Sequence, residues 1–226
     1  RAIHERMPEA VVMVDNCYGE FTDVREPSQA GADLIAGSLI KNPGGGLAPG
    51  GGYMAGRTDL IEKVACRLTS PGIGAEVGAY AAGYQSFYQG LFLAPHTVAQ
   101  AVKTAVLAAR VFAELGYVVH PSYDEKRNDI IQALRFEDRE KLISFIRAIQ
   151  KHSPVDSLAV PEPWAMPGYQ DEVIMAAGTF VSGASIELSA DAPVRPPYIA
   201  YLQGALTYAH GRIAIEGAAQ AVGRKD

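Results

Sequence analysis

Residues 10–14, Ala-Val-Val-Met-Val, form an unbroken apolar run that stops at Asp15. Short continuous runs of this kind mark strands buried on both faces. Residues 32–37 repeat the pattern just before Ser38 and Lys41, and residues 53–56 give a third short piece. The stretch 22–29, with Pro27, reads as a loop or turn. None of the three runs alternates, which fits the middle of an α/β sheet rather than an antiparallel sandwich. Thr58 or Asp59 is placed to cap a helix over 60–68. Ser70-Pro71-Gly72-Ile73-Gly74 then breaks the chain. The longest helical pattern covers 97–115, with Thr97 as its cap and Gly116 as its stop. Strands are predicted over 117–120 and 130–136. An amphipathic helix follows over 138–151, with Leu142, Phe145, Ile146 and Ile149 on one face. The proline-rich stretch 152–170, which holds Trp164, is predicted to be an ordered loop. Short strands are expected over 173–175, 179–181 and 185–188, and a final helix over 200–219. The change of texture at the long helix suggests two domains, residues 1–96 and 97–226.

Composition narrows the possible functions. The chain has 226 residues, 20 Lys+Arg against 25 Asp+Glu, and a net charge of −5. That mild acidity, with no basic run, argues against a general nucleic-acid or anionic-membrane binder. Two cysteines cannot build a disulfide framework, so a reducing, cytoplasmic setting is expected. No apolar run approaches the ~18 residues of a membrane span, and no signal-peptide pattern is visible. The five histidines are scattered without metal-ligand spacing, and no metal site is expected. The glycine triplets 44–46 and 50–52 lack the lysine and helix of a phosphate loop. They are better suited to letting backbone pass close to a cofactor or a neighbouring subunit. The chain begins at Arg1 rather than Met, which reads as a piece of something longer.

Asp15 and Lys41 each follow a predicted buried strand, and open α/β sheets bind ligands outside the carboxyl ends of their strands. From spacing alone, a structural ion pair and a ligand site stand equally open. The neighbouring residues carry more. Ser38 precedes Lys41 by three positions and Gly44-Gly45 follows. This Ser-x-x-Lys pattern after a strand resembles the lysine motif of fold-type-I pyridoxal-phosphate enzymes, and more narrowly their cysteine/methionine-metabolism group. Asp15-Asn16 resembles that group's pyridine-binding pair, and Asp15-x-x-Tyr18 resembles the corresponding motif of related aminotransferases. Four longer segments, residues 14–21, 36–45, 67–76 and 186–208, resemble in order the methionine gamma-lyase-like family, whose members are often labelled aluminium resistance proteins or carbon–sulfur lyases.

The resemblance implies an α/β fold in which residues 1–96 are the C-terminal part of a mainly parallel large-domain sheet that binds pyridoxal phosphate. The rest would be a connecting helix and a small α+β domain. Lys41 would hold the cofactor covalently and, once freed, take a proton from the substrate's Cα. Asp15 would face the ring nitrogen, Tyr18 the phenolic oxygen and Ser38 the phosphate. An amino-acid carboxylate calls for a planar bidentate donor, and Arg195 is the candidate, with Arg57 and Arg67 behind it. Cys17 lies beside the site as a small buried hydrophobe. The implied activity is cleavage of a carbon–sulfur bond in a sulfur-containing amino acid. Transamination, cofactor binding without turnover, and an incomplete fragment are the alternatives. A homodimer or homotetramer is implied, together with an N-terminal half, in the same or a separate polypeptide. That half would supply the phosphate-binding turn and the ring-stacking aromatic.

Overall fold

In a computed structural model, which describes residues 2–78 and 80–225, the three apolar runs become strands β1 (Met13–Asp15), β2 (Leu34–Ser38) and β3 (Gly52–Gly56). They form one sheet in the order β1-β2-β3. The β1–β2 pair is parallel and the β2–β3 pair antiparallel. This part of the sheet is therefore mixed, where a mainly parallel one was expected. The cause is the β2–β3 connection. It contains a 3-10 turn, Asn42–Gly44, but no crossover helix, so the chain returns in the opposite direction. β1 lies at an edge, and Met13 is 55% exposed rather than buried on both faces. A short helix, α1 (Ala2–Arg6), precedes the sheet. Helix α2 (Thr58–Leu68) follows it, with Arg57 rather than Thr58 or Asp59 at the cap position.

Helix α3 (Gln85–Glu114) begins twelve residues ahead of the expected start, because it runs through Pro95. A proline inside a helix removes one hydrogen bond and crowds the preceding turn. Tertiary packing offsets that cost here. Gly90 lies against the backbone of Gly44, and an ideal Cβ on Gly90 would sit 2.1 Å from the Gly44 carbonyl oxygen. At this length α3 is apolar enough to cross a membrane by composition, which no run in the sequence suggested. Its buried residues, among them Ala94, Val98, Ala101, Ala105, Ala108 and Phe112, pack inside the protein instead.

The second sheet is antiparallel, in the order β4 (Val118–His120), β5 (Gln132–Arg135), β8 (Ile199–Gln203), β7 (Ser189–Pro193), β6 (Val173–Ala176). Helices α3, α4 (Arg139–Lys151) and α5 (Tyr208–Val222) enclose the main core with it. Phe112 and Phe145 meet edge to face there at 5.4 Å, beside fully buried Leu142, Ile146 and Ile149. The predicted α4 holds, with the Asp138 side chain accepting from the Lys141 N–H. Two expectations do not. The pattern over 200–219 splits into β8 and α5, divided at Gly204, whose φ of +82° suits a glycine turn, with Thr207 capping α5. Residues 179–181 are irregular, bent backbone and residues 185–188 a turn, not strands. The Glu187 carboxylate there accepts from the Phe180 and Val181 N–H groups.

Candidate active site

Parallel pairing of β1 and β2 puts Asp15 opposite Ala36, so the two strand ends lie side by side. The Asn16 N–H donates to the Ala36 carbonyl at 2.8 Å and extends that pairing past Asp15. Beyond it the chain makes a tight turn. Cys17 N–H donates to Asp15 Oδ1 at 3.0 Å, and Tyr18 adopts a φ of +73°. That conformation is uncommon for a bulky residue and needs support from its surroundings. The support comes from the residue after Lys41. Asn42 is fully buried, and its Nδ2 donates to the carbonyls of Tyr18 and Glu20, each at 3.0 Å. The Asp15 turn and the Lys41 turn are thereby locked together.

Lys41 follows β2 in a turn closed on the Ser38 carbonyl. Its Nζ stands over the Tyr18 ring, 4.4 Å from the centroid. Burial disfavours its ammonium, but the Tyr18 phenol and Cys17 thiol outweigh this and push the amine upward. The Asp15 carboxyl is held below its ordinary range, first by the Cys17 hydrogen bonds and then, against a small burial penalty, by the Lys41 charge. Burial and the nearby Asp15 push the half-buried Cys17 up, so it stays a neutral thiol. Across the cleft, Tyr18 Oη donates to Ser185 Oγ at 3.1 Å, joining this turn to the loop that leads into β7. Ser38 ends β2, opposite Gly52 of β3.

Asp15, Cys17, Tyr18, Ser38 and Lys41 thus gather at one end of the first sheet. The expected arginines do not join them. Arg195 is exposed after β7, bonded to Asp171 at 3.1 Å, and lines an open cavity of about 610 Å³ with Asp191 and Tyr201. Arg57 pairs with Asp33 and Asp59 beside the amino end of β2, away from Lys41. Arg67 sits in the exposed last turn of α2. Sequence reasoning passed over four residues in or near the site: Glu20, Tyr53, Ser185 and Asp191. Asp191 is a largely buried carboxyl pushed up by burial, and it also feels the Lys41 charge; Gln203 donates to it at 2.9 Å. A polar residue between alanines in 189–193 is its one sequence signal. Glu20 had none.

The profile of the methionine gamma-lyase family matches residues 1–223. The chain belongs to this family. Its relatives include YnbB of Bacillus subtilis, 55% identical over 225 residues, which are 100% of this chain and 53% of that protein. A carbon–sulfur lyase involved in aluminum resistance from Clostridium novyi NT superposes with a TM-score of 0.90 at 56% identity, over 96% of this chain and 50% of its own. A Bacillus cereus protein does so with a TM-score of 0.92 at 54% identity, over 97% and 54%. The chain spans about half the length of these family members. A more distant likeness, to a serine palmitoyltransferase from Sphingomonas wittichii at 14% identity and a TM-score of 0.54, concerns the fold alone.

Proposed function

We propose that the chain is the lysine-bearing half of a pyridoxal-phosphate enzyme that cleaves a carbon–sulfur bond in a sulfur-containing amino acid. The observation that carries this is the Lys41 amine. It is half-buried at a strand end, with a phenol and a thiol rather than a carboxylate around it and an ionised carboxylate on the neighbouring strand. A structural ion pair, the alternative from spacing alone, would place a carboxylate against that amine. Among the described residues no such pair forms at Lys41. Family membership supports the lyase assignment. The serine palmitoyltransferase fold, which the chain shares, is one that binds pyridoxal phosphate in a solved structure.

The residues fit that cofactor. Lys41 would hold it, Asp15 would keep a proton on its ring nitrogen, and Ser38 would donate to its phosphate. Tyr18 would keep its ring beneath the amine and its hydroxyl on Ser185. When bound, pyridoxal phosphate supplies an electron sink for the bonds at the substrate's Cα. Lys41, once free, would take the Cα proton and pass it to the departing sulfur, which leaves as a thiol. Arg195 is proposed to take the substrate carboxylate, which requires it to leave Asp171. A homodimer or homotetramer built from polypeptides of the relatives' full length is the proposed active form.

The test is product analysis with thioether amino acids and the full-length enzyme. Release of ammonia and a thiol by the wild type, lost in Lys41→Ala, supports the lyase. A new amino acid formed from an added keto acid would support transamination instead.

A further inference from the structure

Beneath the Lys41 turn lies a buried polar network that the proposed chemistry does not use. Glu20 is 3% exposed, and its Oε1 accepts from Tyr53 Oη at 2.9 Å. Asn16 Nδ2 donates to Glu26 Oε2 at 2.8 Å and reaches the same Tyr53 oxygen at 3.5 Å. Glu26 Oε1 in turn accepts from the Phe21 N–H at 3.0 Å. Phe21 has a φ of +62°, so two left-handed residues, Tyr18 and Phe21, flank Gly19-Glu20. Gly37 makes room for the network, because a Cβ there would sit 2.4 Å from the Tyr53 ring and 2.5 Å from Glu20 Oε1. Two acceptors are left over. Glu20 Oε2 and Asn42 Oδ1 are both buried and meet no donor from another described residue.

This arrangement does not suit an ionised Glu20. A buried carboxylate needs a cation or several donors. Its donors are one phenol and its own N–H, the Lys41 charge acts only from a distance, and Glu26 adds a like charge to the same network. A proton on the carboxyl removes the repulsion and turns a surplus acceptor into a donor. We propose that Glu20 is a positioning residue for Lys41, working as a neutral carboxyl. Anchored on Tyr53 by its side chain and on Asn42 by its carbonyl, it holds the Tyr18 ring beneath the lysine amine. Burial, first, and then the Glu26 charge push the Glu20 carboxyl up to about 7, against opposition from its own N–H, Tyr53 and Lys41. Burial also pushes the Tyr53 phenol up, so it remains a donor.

The test compares wild type, Glu20→Gln and Glu20→Leu in the full-length protein. Glutamine keeps the shape and neutrality of the acid; leucine removes the hydrogen bond to Tyr53. A carboxyl raised from 4.5 to about 7 on folding makes the protein lose stability as pH rises across that interval. The wild-type melting temperature should therefore fall by several degrees more than that of Glu20→Gln between those limits. Parallel curves would overturn the neutral carboxyl. The positional role, which rests on the cofactor assignment above, is read from uptake of pyridoxal phosphate by visible absorbance. Glu20→Gln should bind like wild type with a flatter pH dependence, and Glu20→Leu at least tenfold more weakly. Equal uptake by Glu20→Leu would overturn the positional role. The melting series needs no cofactor, so a wild type that takes up none would count against the cofactor assignment and leave the charge state of Glu20 decided.

Discussion

At the scale of residues, the site is a set of neighbours that set one another's charge. Asp15 is ionised because the Cys17 turn donates to it and Lys41 is near. An opposite charge at close range favours a protonated partner by about 1–3 pKa units. Asp15→Asn should therefore slow turnover about 10- to 1000-fold while leaving the melting temperature nearly unchanged, since Asp15 is largely exposed. Steady-state kinetics and thermal unfolding on the same sample check both parts. Tyr18→Phe keeps the ring beneath Lys41 and loses the bond to Ser185. It should cost about 0.5–1.5 kcal/mol of stability, measured by denaturant unfolding. Asp15 and Lys41 were legible in the sequence because each lies just past an apolar run, and parallel pairing of the two strands brings both to the same end of the sheet. Ser185 was not legible. It meets Tyr18 across 167 positions of sequence, and no local pattern encodes such a contact.

Among the elements, α3 is the one that braces the site. Its Gly90 touches the Asn42–Gly44 turn that immediately follows Lys41, and Thr97 Oγ1 donates to the Gly45 carbonyl at 3.4 Å. Gly90→Ala forces a methyl into backbone that cannot yield cheaply. Overpacking of this kind costs about 1–3 kcal/mol, and the shift falls on the turn after Lys41. The variant should melt lower and also bind cofactor more weakly, a pairing to be measured by calorimetry and absorbance titration. A fall in melting temperature with unchanged cofactor affinity would mean that α3 stabilises the fold without bracing the site. The elements that sequence patterns found were those whose stripe and caps agree, such as α4 with Leu142, Phe145, Ile146 and the Asp138 cap. α3 was cut short because Thr97 reads locally as a cap, whereas the Gly90–Gly44 approach that sustains the helix through Pro95 is a tertiary fact. β8 was absorbed into a helix because its alanine and leucine fit either period, and Gly204 was the punctuation that divides them.

At the scale of the molecule, the chain carries Lys41, Asp15 on the neighbouring strand and the antiparallel sheet, in about half the length of the relatives it matches. Among the described residues β1 pairs only with β2 and stands at the edge of the first sheet. An apolar groove of about 650 Å³ opens on the same sheet, lined by Gly37, Leu39, Tyr53, Tyr84 and Phe87. An exposed edge and groove of this kind are surfaces that proteins normally cover. A polypeptide of the relatives' full length should therefore show slower amide exchange at β1 and at the start of α3 than this chain alone, by hydrogen-exchange mass spectrometry. Equal exchange in both would mean that the first sheet is complete with three strands. The central claim concerns Lys41, and one experiment addresses it directly. The full-length protein is incubated with pyridoxal phosphate, reduced with borohydride, digested and mapped by mass spectrometry. The account predicts the cofactor's mass on the peptide that contains Lys41 and on no other lysine. A label on a different lysine, or no label at all, would contradict it.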